Sequence, residues 1–306
     1  MITVVAGGTG SVKLVRGLAR VAGDLTAVAN VGDNIWLHGL YVCPDIDTVV
    51  YGLGGMLDEK RGWGVQADTF SFIGQLRRAG EKPWFSIGDK DLAMHVVRTA
   101  MMKEGRTLSE VTRFFAERYG VDANVIPATD SEVATMISTA AGEMHLQEFW
   151  VKNRGRPKVT AVRYAGIEKA EANKAAVDAI RNSDRIIIAP GNPVSSIGPT
   201  TAIPGLRAEL ARARDRVVAV SPIIGDGPVS GPAAKYMKAV GLTSSPAGVA
   251  AFYRDFAGSL VISKSDAGKS GDIRRLGMDP YETNITMAGR QDEVRLARYL
   301  LKVGTR

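Results

Sequence analysis

Short apolar runs rich in β-branched residues alternate with segments of helical period along this chain. Ile2–Val5, Thr26–Ala29, Val159–Val162, Arg185–Ile188, Val217–Val220 and Leu260–Ile262 read as strands. Between them, Ser11–Val21, Ala170–Asn182, Pro232–Val240, Pro246–Asp255 and Asp292–Leu301 carry apolar residues at helical spacing. Arg185-Ile-Ile-Ile-Ala189 is apolar without alternation, as expected of a central strand buried on both faces. Such alternation predicts an α/β fold with a Rossmann-like, doubly wound and mainly parallel sheet. Residues from about 50 to 120 differ. Leu92–Met102 and Leu108–Tyr119 are helical by period, and Thr107 with Glu110 forms a capping box. This stretch is expected to be a mainly helical subdomain inserted into a single domain spanning 1–306.

The sharpest local signal is the end of the first strand. Ile2–Val5 stops at Gly7-Gly8-Thr9-Gly10, and a helix pattern starts at once with Val12, Leu14, Val15 and Leu18. A glycine turn opening a helix lets backbone N–H groups approach an anion, and the helix dipole favours negative charge there. The turn fits neither the P-loop nor the full dinucleotide pattern. Read alone, it is a phosphate cradle or a turn that permits close packing.

Three further loops carry chemistry. Asn30-Val-Gly-Asp-Asn-Ile-Trp-Leu-His-Gly-Leu-Tyr-Val-Cys-Pro-Asp-Ile-Asp-Thr48 follows a strand and holds Asp33, Asp45 and Asp47 beside Asn30 and His38. Carboxylates beside a phosphate site can hold Mg²⁺ or take a proton from a hydroxyl. Asp45 also suits a helix N-cap after Pro44. Gly88-Asp89-Lys90-Asp91 precedes a helix, where Asp91 fits an N-cap and Lys90 could hold a phosphate or substrate oxygen as a point charge. Ala189-Pro-Gly-Asn-Pro-Val-Ser-Ser-Ile197 follows the buried strand and offers backbone N–H groups and hydroxyls to a diphosphate or a base edge. A similar loop, residues 221–232, follows Val217–Val220.

Composition narrows the classes. No run approaches the roughly 20 apolar residues of a membrane span. With one cysteine, Cys43, no intrachain disulfide can form, and the chain reads as cytoplasmic. The three histidines are scattered, so any metal is expected to be hard and oxygen-bound. The net charge of +7 is spread along the chain. Its densest patch, Lys152, Arg154, Arg156 and Lys158, lacks interleaved aromatics and reads as a solvated loop, so no nucleic-acid partner is expected.

Taken in order, these motifs resemble one family closely. They are GGTG with Lys13-Leu14 and Gly17-Leu18, NVGD (Asn30 to Asp33), HGL-x-x-CPDIDT (His38 to Thr48), GDKDLA (Gly88 to Ala93), QE-x-WV (Gln147 to Val151), APGNP-x-SSI and VSPIIG (Val220 to Gly225). The set resembles the 2-phospho-L-lactate transferases, the CofD/FbiA family of coenzyme F-420 biosynthesis, over nearly the whole chain. The resemblance implies transfer of a phospholactyl group, or its enolpyruvyl or glyceryl analogue, from a guanosine diphosphate-linked donor to the deazaflavin alcohol FO, with Mg²⁺ required and GMP released. It implies a homodimer acting on small molecules.

It also implies roles. Gly7, Gly8, Thr9, Gly10, Lys13, Asn30, Gly191, Asn192, Ser195 and Ser196 would hold the nucleotide and diphosphate. Asp33, Asp45 and Asp47 would hold the metal and serve catalysis, and Asp47, Lys90 and His38 would meet FO. Many relatives have arginine where this chain has Lys90, which keeps the charge but loses the fork. Many also read N-V-G-D-D where this chain has Asn34, which shifts metal binding onto Asp33. A non-enzymatic alternative is the YvcK-like group, which shares a GGTG opening and binds nucleotide sugars. That group carries a D-D-G-G-S-S-G-type run after the second strand, where this chain has Val31-Gly-Asp-Asn-Ile-Trp-Leu-His-Gly39.

Overall fold

The computed structural model describes residues 1–229 and 231–304; Ser230, in the loop at 221–232, lies outside the described residues. Seven parallel strands make one central sheet. In chain order they are β1 (Ile2–Ala6), β2 (Leu25–Ala29), β3 (Asn124–Pro127), β4 (Arg185–Ile188), β5 (Val217–Val220), β6 (Ser259–Ser263) and β7 (Asp279–Thr283). Their spatial order is β7-β6-β5-β4-β1-β2-β3. Register is set by pairs such as Val4 with Ala27 on one side and Val4 with Ile187 on the other. The chain winds outward from β1 to β3, then crosses back to lay β4 against the free side of β1. That reversal opens a crevice at the carboxyl ends of β1 and β4, where doubly wound folds bind ligands.

Strand alternation builds two cores. Val4, Ala6, Ala27, Ala29 and Ile187 face one side. There they meet helices α1 (Thr9–Ala19) and α2 (Pro44–Leu53) and the helix Arg290–Leu300. Val5, Val28, Ile186 and Ile188 face the other side and meet the helices Lys174–Asn182, Pro204–Arg212 and Pro246–Tyr253. A helix on each face of a parallel sheet leaves every strand side covered, which is why Ile186, Ile187 and Ile188 are all buried. Truncating Ile187 to Ala would cost about 2–5 kcal/mol. A buried ion pair, Arg16 with Glu293, ties α1 to the last helix. A Cβ on Gly17 would stand 2.3 Å from the Glu293 carbonyl oxygen, so glycine is what lets these helices approach.

Between β2 and β3 the chain makes a hairpin (Ile35–Leu37 with Leu40–Val42), α2, an irregular loop, and helices α3 (Ser71–Arg78), α4 (Asp89–Lys103) and α5 (Leu108–Arg118). The Thr107–Glu110 capping box opens α5 as expected. Leu37, Val42, Ile73 and Ile87 form a small separate core that fastens the hairpin to α3.

Some sequence expectations are corrected. Residues expected as a strand at Val159–Val162 pair instead as Ala161–Ala165 in a small antiparallel sheet with Ala134–Thr139 and Gly142–His145. Its half-buried, mixed composition suits an antiparallel sheet with one wet face. The strands β3 and β7 were not anticipated. Both are edge strands of only 4 or 5 residues that contain proline and show no polar–apolar alternation. The helix expected to start at Ala170 starts at Lys174, where the Asn173 side chain accepts N–H bonds from Ala175 and Ala176.

Candidate active site

Parallel strands bring the ends of β1, β2 and β4 to one side, so three of the loops singled out from sequence meet there. Gly8 caps α1 with φ at 75°, a conformation that glycine adopts without strain. No side chain caps this helix, and its first turn has no acidic residue. The turn is packed tightly against the loop after β4. A Cβ on Gly7 would lie 2.3 Å from the Ser196 carbonyl oxygen and 3.0 Å from Asp45 Oδ2. One on Gly10 would lie 2.8 Å from the Pro190 oxygen, and one on Gly191 2.6 Å from the Gly7 oxygen. The glycines therefore serve close packing, and that packing leaves the α1 start without a side-chain cap. Thr9 is exposed at its tip, and the buried Ser11 hydroxyl bonds to the Gly7 backbone.

Asn192 shapes the loop after β4. Its Oδ1 accepts from the N–H groups of Val194 and Ser195 at 3.0 and 3.4 Å, closing a π-helical turn over Pro193–Ile197. Its Nδ2 is buried with no partner among the described residues, as is the hydroxyl of Thr200. A buried donor without an acceptor is costly unless a ligand supplies one. Ser195 and Ser196 are buried beside it, and Ser196 Oγ faces Gly8. Lys13 is exposed and donates to the Met287 carbonyl at 3.0 Å, on the side of the C-terminal segment.

Asn30, fully buried at the end of β2, organises the carboxylates. Its Nδ2 donates to Asp45 Oδ2 at 2.8 Å and to Asp33 Oδ1 at 2.9 Å, and its Oδ1 accepts from the Gly32 N–H at 3.0 Å. Gln147 Nε2 donates to the second oxygen of Asp33 at 3.1 Å. Asp45 accepts from the Gly8 N–H as well. It lies inside the first turn of α2, whose N-cap is Cys43, so the expected capping role is not the one it has. Both carboxylates meet amide donors and no cation among the described residues. Burial pushes Asp45 up to about 6. Burial, and then the neighbouring Asp45 charge, raise Asp33 well above the ordinary range. Two adjoining carboxylates short of positive charge, Asp45 buried and Asp33 half-buried, are a donor set that fits a hard divalent cation.

Asp47, two residues on, has a different environment. Its carboxylate takes a two-pronged ion pair from the buried Arg98 guanidinium, which also donates to the Tyr41 carbonyl at 3.1 Å. Arg98 Nη1 lies 3.2 Å from His95 Nδ1, and His95 Nε2 lies 3.4 Å from Asp91 Oδ1. The Tyr51 hydroxyl donates to Asp91 at 2.7 Å. Burial pushes Asp47 up while Arg98 and His95 pull against that shift. For Arg98, burial lowers the pKa most, but the Asp47 charge and hydrogen bond together with Cys43 and Tyr51 outweigh it, and its pKa is raised. Asp47, Asp91 and His95 have ligand atoms within 4.8 Å of one another, and no other such set of three exists among the described residues. The expected metal trio of Asp33, Asp45 and Asp47 therefore does not converge at that distance.

The sequence reading missed Arg98 and His95. Asp91, His95 and Arg98 stand at i, i+4 and i+7 on α4, and all are buried. Three ionisable residues along one helical face were the available signal. Asp91 was expected as an N-cap; the cap is Gly88. The carboxylate of Asp68 serves the helix start instead, accepting from the N–H groups of Lys90 and Asp91 at 2.8 and 3.1 Å. Asp89 does the same for α3, accepting from Ser71 and Phe72 at 2.9 Å each, and the Thr69 hydroxyl with those N–H groups holds it down at about 2. Lys90 is exposed at the α4 N-terminus, with Nζ 3.2 Å from the Gln66 carbonyl. His38 stands apart from the carboxylates. It and Gly39 form the two-residue hairpin turn at φ 51° and 77°, with the exposed imidazole edge-on to Phe72.

The geometry defines a class: a doubly wound α/β protein with a glycine-turn helix start that no side chain caps and a pair of amide-held carboxylates at its switch point. The sequence comparisons specify it further. The family model "2-phospho-L-lactate transferase CofD" matches residues 2–292. A 2-phospho-L-lactate transferase of Methanosarcina acetivorans is 37% identical over 300 residues, covering 97% of both chains. One of Methanocaldococcus jannaschii is 40% identical, covering 99% of this chain and 97% of that one. A phosphoenolpyruvate transferase of Streptomyces griseus is 38% identical, covering 99% and 98%. The chain belongs to the CofD family, and it is a transferase. The crystal structure of a UPF0052 family member from Bacillus halodurans aligns with TM-score 0.65 over 98% of both chains at 16% identity, a likeness of fold. No helix among the described residues is long and apolar enough to cross a membrane.

Proposed function

We propose that this transferase moves a phospholactyl or phosphoenolpyruvyl group from a guanosine diphosphate-linked donor to the primary ribityl hydroxyl of the deazaflavin FO. The hydroxyl oxygen attacks the phosphorus that carries the three-carbon acid, the bridging P–O bond to the guanosine half breaks, and GMP leaves. The products are GMP and F-420-0 or its dehydro form. The observation that carries this reading is the contact between the Gly7–Gly10 turn and the Gly191–Ser196 loop, with the cation-poor pair Asp33–Asp45 beside them. The α1 N–H groups and the Asn192 loop suit the donor diphosphate and guanosine end. Asp33 and Asp45 are the residues suited to hold Mg²⁺, which when bound would neutralise diphosphate charge. Asn30 and Gln147 keep those two carboxylates oriented. Asp47, fixed by Arg98, supplies a rigid carboxylate suited to orient or deprotonate the hydroxyl, and Lys90 suits the FO end.

We read the protein as a cytoplasmic homodimer acting on small molecules, by family likeness. The test is a turnover assay with purified protein, FO and Mg²⁺, offering the lactyl, enolpyruvyl and glyceryl guanosine diphosphates separately. GMP release and the mass of the deazaflavin product are followed. Product from one donor establishes the reaction and names the acid. No product from any donor, with tight binding of a nucleotide sugar, moves the protein to a regulatory binding class.

A further inference from the structure

Trp63 and Phe70 leave 38% and 37% of their surface exposed on the irregular loop between α2 and α3. Exposed aromatics that also hold a fixed geometry need a reason. Their ring centroids are 6.5 Å apart, inclined at 69°. The Arg61 guanidinium lies 5.0 Å from the Trp63 centroid and 5.1 Å from that of Phe70. Arg61 is itself held: Nε donates to Asp58 Oδ2 and Nη2 to the Val65 carbonyl, both at 2.9 Å. The loop closes on itself through a bridge between Leu57 and Val65 and an N–H bond from Gln66 to the Met56 carbonyl at 2.7 Å. The two rings are thus locked by the chain's own contacts, which reduces the ordering cost of binding a flat ligand.

The loop also touches two of the segments assigned to the proposed site. At one end a Cβ on Gly62 would lie 3.7 Å from the Thr9 methyl, at the tip of the glycine turn. At the other, Asp68 caps α4 and the Gln66 carbonyl accepts from Lys90 Nζ. The segment that carries the rings is thus anchored on one side at the tip of the glycine turn and on the other at the lysine proposed for the acceptor. We infer that Arg61, Trp63 and Phe70 form a preformed stacking platform for the planar heteroaromatic ring of the acceptor. Stacking on Trp with a neighbouring guanidinium suits a wide fused ring system and needs no specific hydrogen bond. This inference rests on the proposed function for the identity of the ring.

The test measures KM for FO and calorimetric GMP affinity in the full-length wild type, Trp63→Ala, Phe70→Ala and Trp63→Phe. Trp63→Ala should raise KM for FO about tenfold, the range of one lost stacking partner. Trp63→Phe should recover most of that, and GMP affinity should stay at the wild-type value throughout. An unchanged KM for FO in Trp63→Ala and Phe70→Ala overturns the platform. So does a fall in GMP affinity, which would place guanine on the rings. A loss of dimer with KM unchanged would assign the rings to a second copy of the chain and also overturn it. If the wild type turns over no donor, the proposed function fails separately, and titration by FO fluorescence decides: quenching that Trp63→Ala abolishes supports the platform, and absence of quenching overturns it.

Discussion

Asp45 and Asp47 are two residues apart on the first turn of one helix, both buried, and yet they occupy opposite electrostatic situations. Asp45 and its neighbour Asp33 are held by the amides of Asn30 and Gln147 and by no cation. Asp47 has its counter-ion built in, Arg98, backed by His95, Asp91 and Tyr51. A pair held by neutral donors carries unbalanced charge until a cation arrives. A carboxylate already bound to guanidinium is held in place without a metal, and adding one there would place two cations together. Identical side chains in one motif can thus be assigned to different tasks by what lies behind them.

The comparison can be broken most forcefully at Arg98. Arg98→Ala strands Asp47 in the interior without a partner, and should cost about 3–5 kcal/mol in urea unfolding. Asp47→Asn in the same background should add little further loss, because the charge that needed Arg98 is gone. If the two effects simply add, the pair is not coupled as the geometry requires. Asp45→Asn should leave the fold intact and lower turnover by about 100-fold or more, with a raised Mg²⁺ requirement. Wild-type turnover would remove Asp45 from the reaction.

A smaller effect concerns pH. The folded state holds a proton on Asp45 up to about pH 6, whereas the unfolded chain releases it near the ordinary carboxylate value. Between those values the folded state binds more protons, so stability falls as pH rises and the full penalty stands above pH 6. In chelator, Asp45→Asn should therefore be more stable than wild type at pH 7.5, by about 3 kcal/mol. The gap should close by about pH 4, as the aspartate protonates in both states. A gap of constant size across that range would contradict the assignment. The smallest expected effect is at Lys90, which is exposed: Lys90→Ala should raise KM for FO severalfold with guanosine nucleotide affinity unchanged. A fall in nucleotide affinity would place Lys90 at the other substrate.

Much of the frame was legible. The strands ending at Gly7, Asn30 and Ala189 were visible as apolar runs stopped by loops of small or polar residues. Parallel strands oblige such loops to gather at one end. The edge strands at Asn124–Pro127 and Asp279–Thr283 were not legible, because four or five residues of mixed polarity acquire strand character only from a neighbour to pair with. His38 was expected at the acceptor from the family resemblance. Its place at the exposed two-residue turn of the hairpin, edge-on to Phe72, was set by the strand pairing and was not legible from the loop's composition.

What the sequence determined by itself was the periodicity, and with it the layers, the glycine turn and the loops that carry acid groups. These depend on residues near one another in the chain, where apolar spacing and backbone freedom act directly. Which carboxylate would be cation-poor and which would be paired was decided only by the tertiary structure. Arg98 reaches Asp47 across 51 residues of chain, and Gln147 reaches Asp33 across 114. Burial then makes those contacts decisive, because a charge removed from water takes its character from whatever few groups surround it.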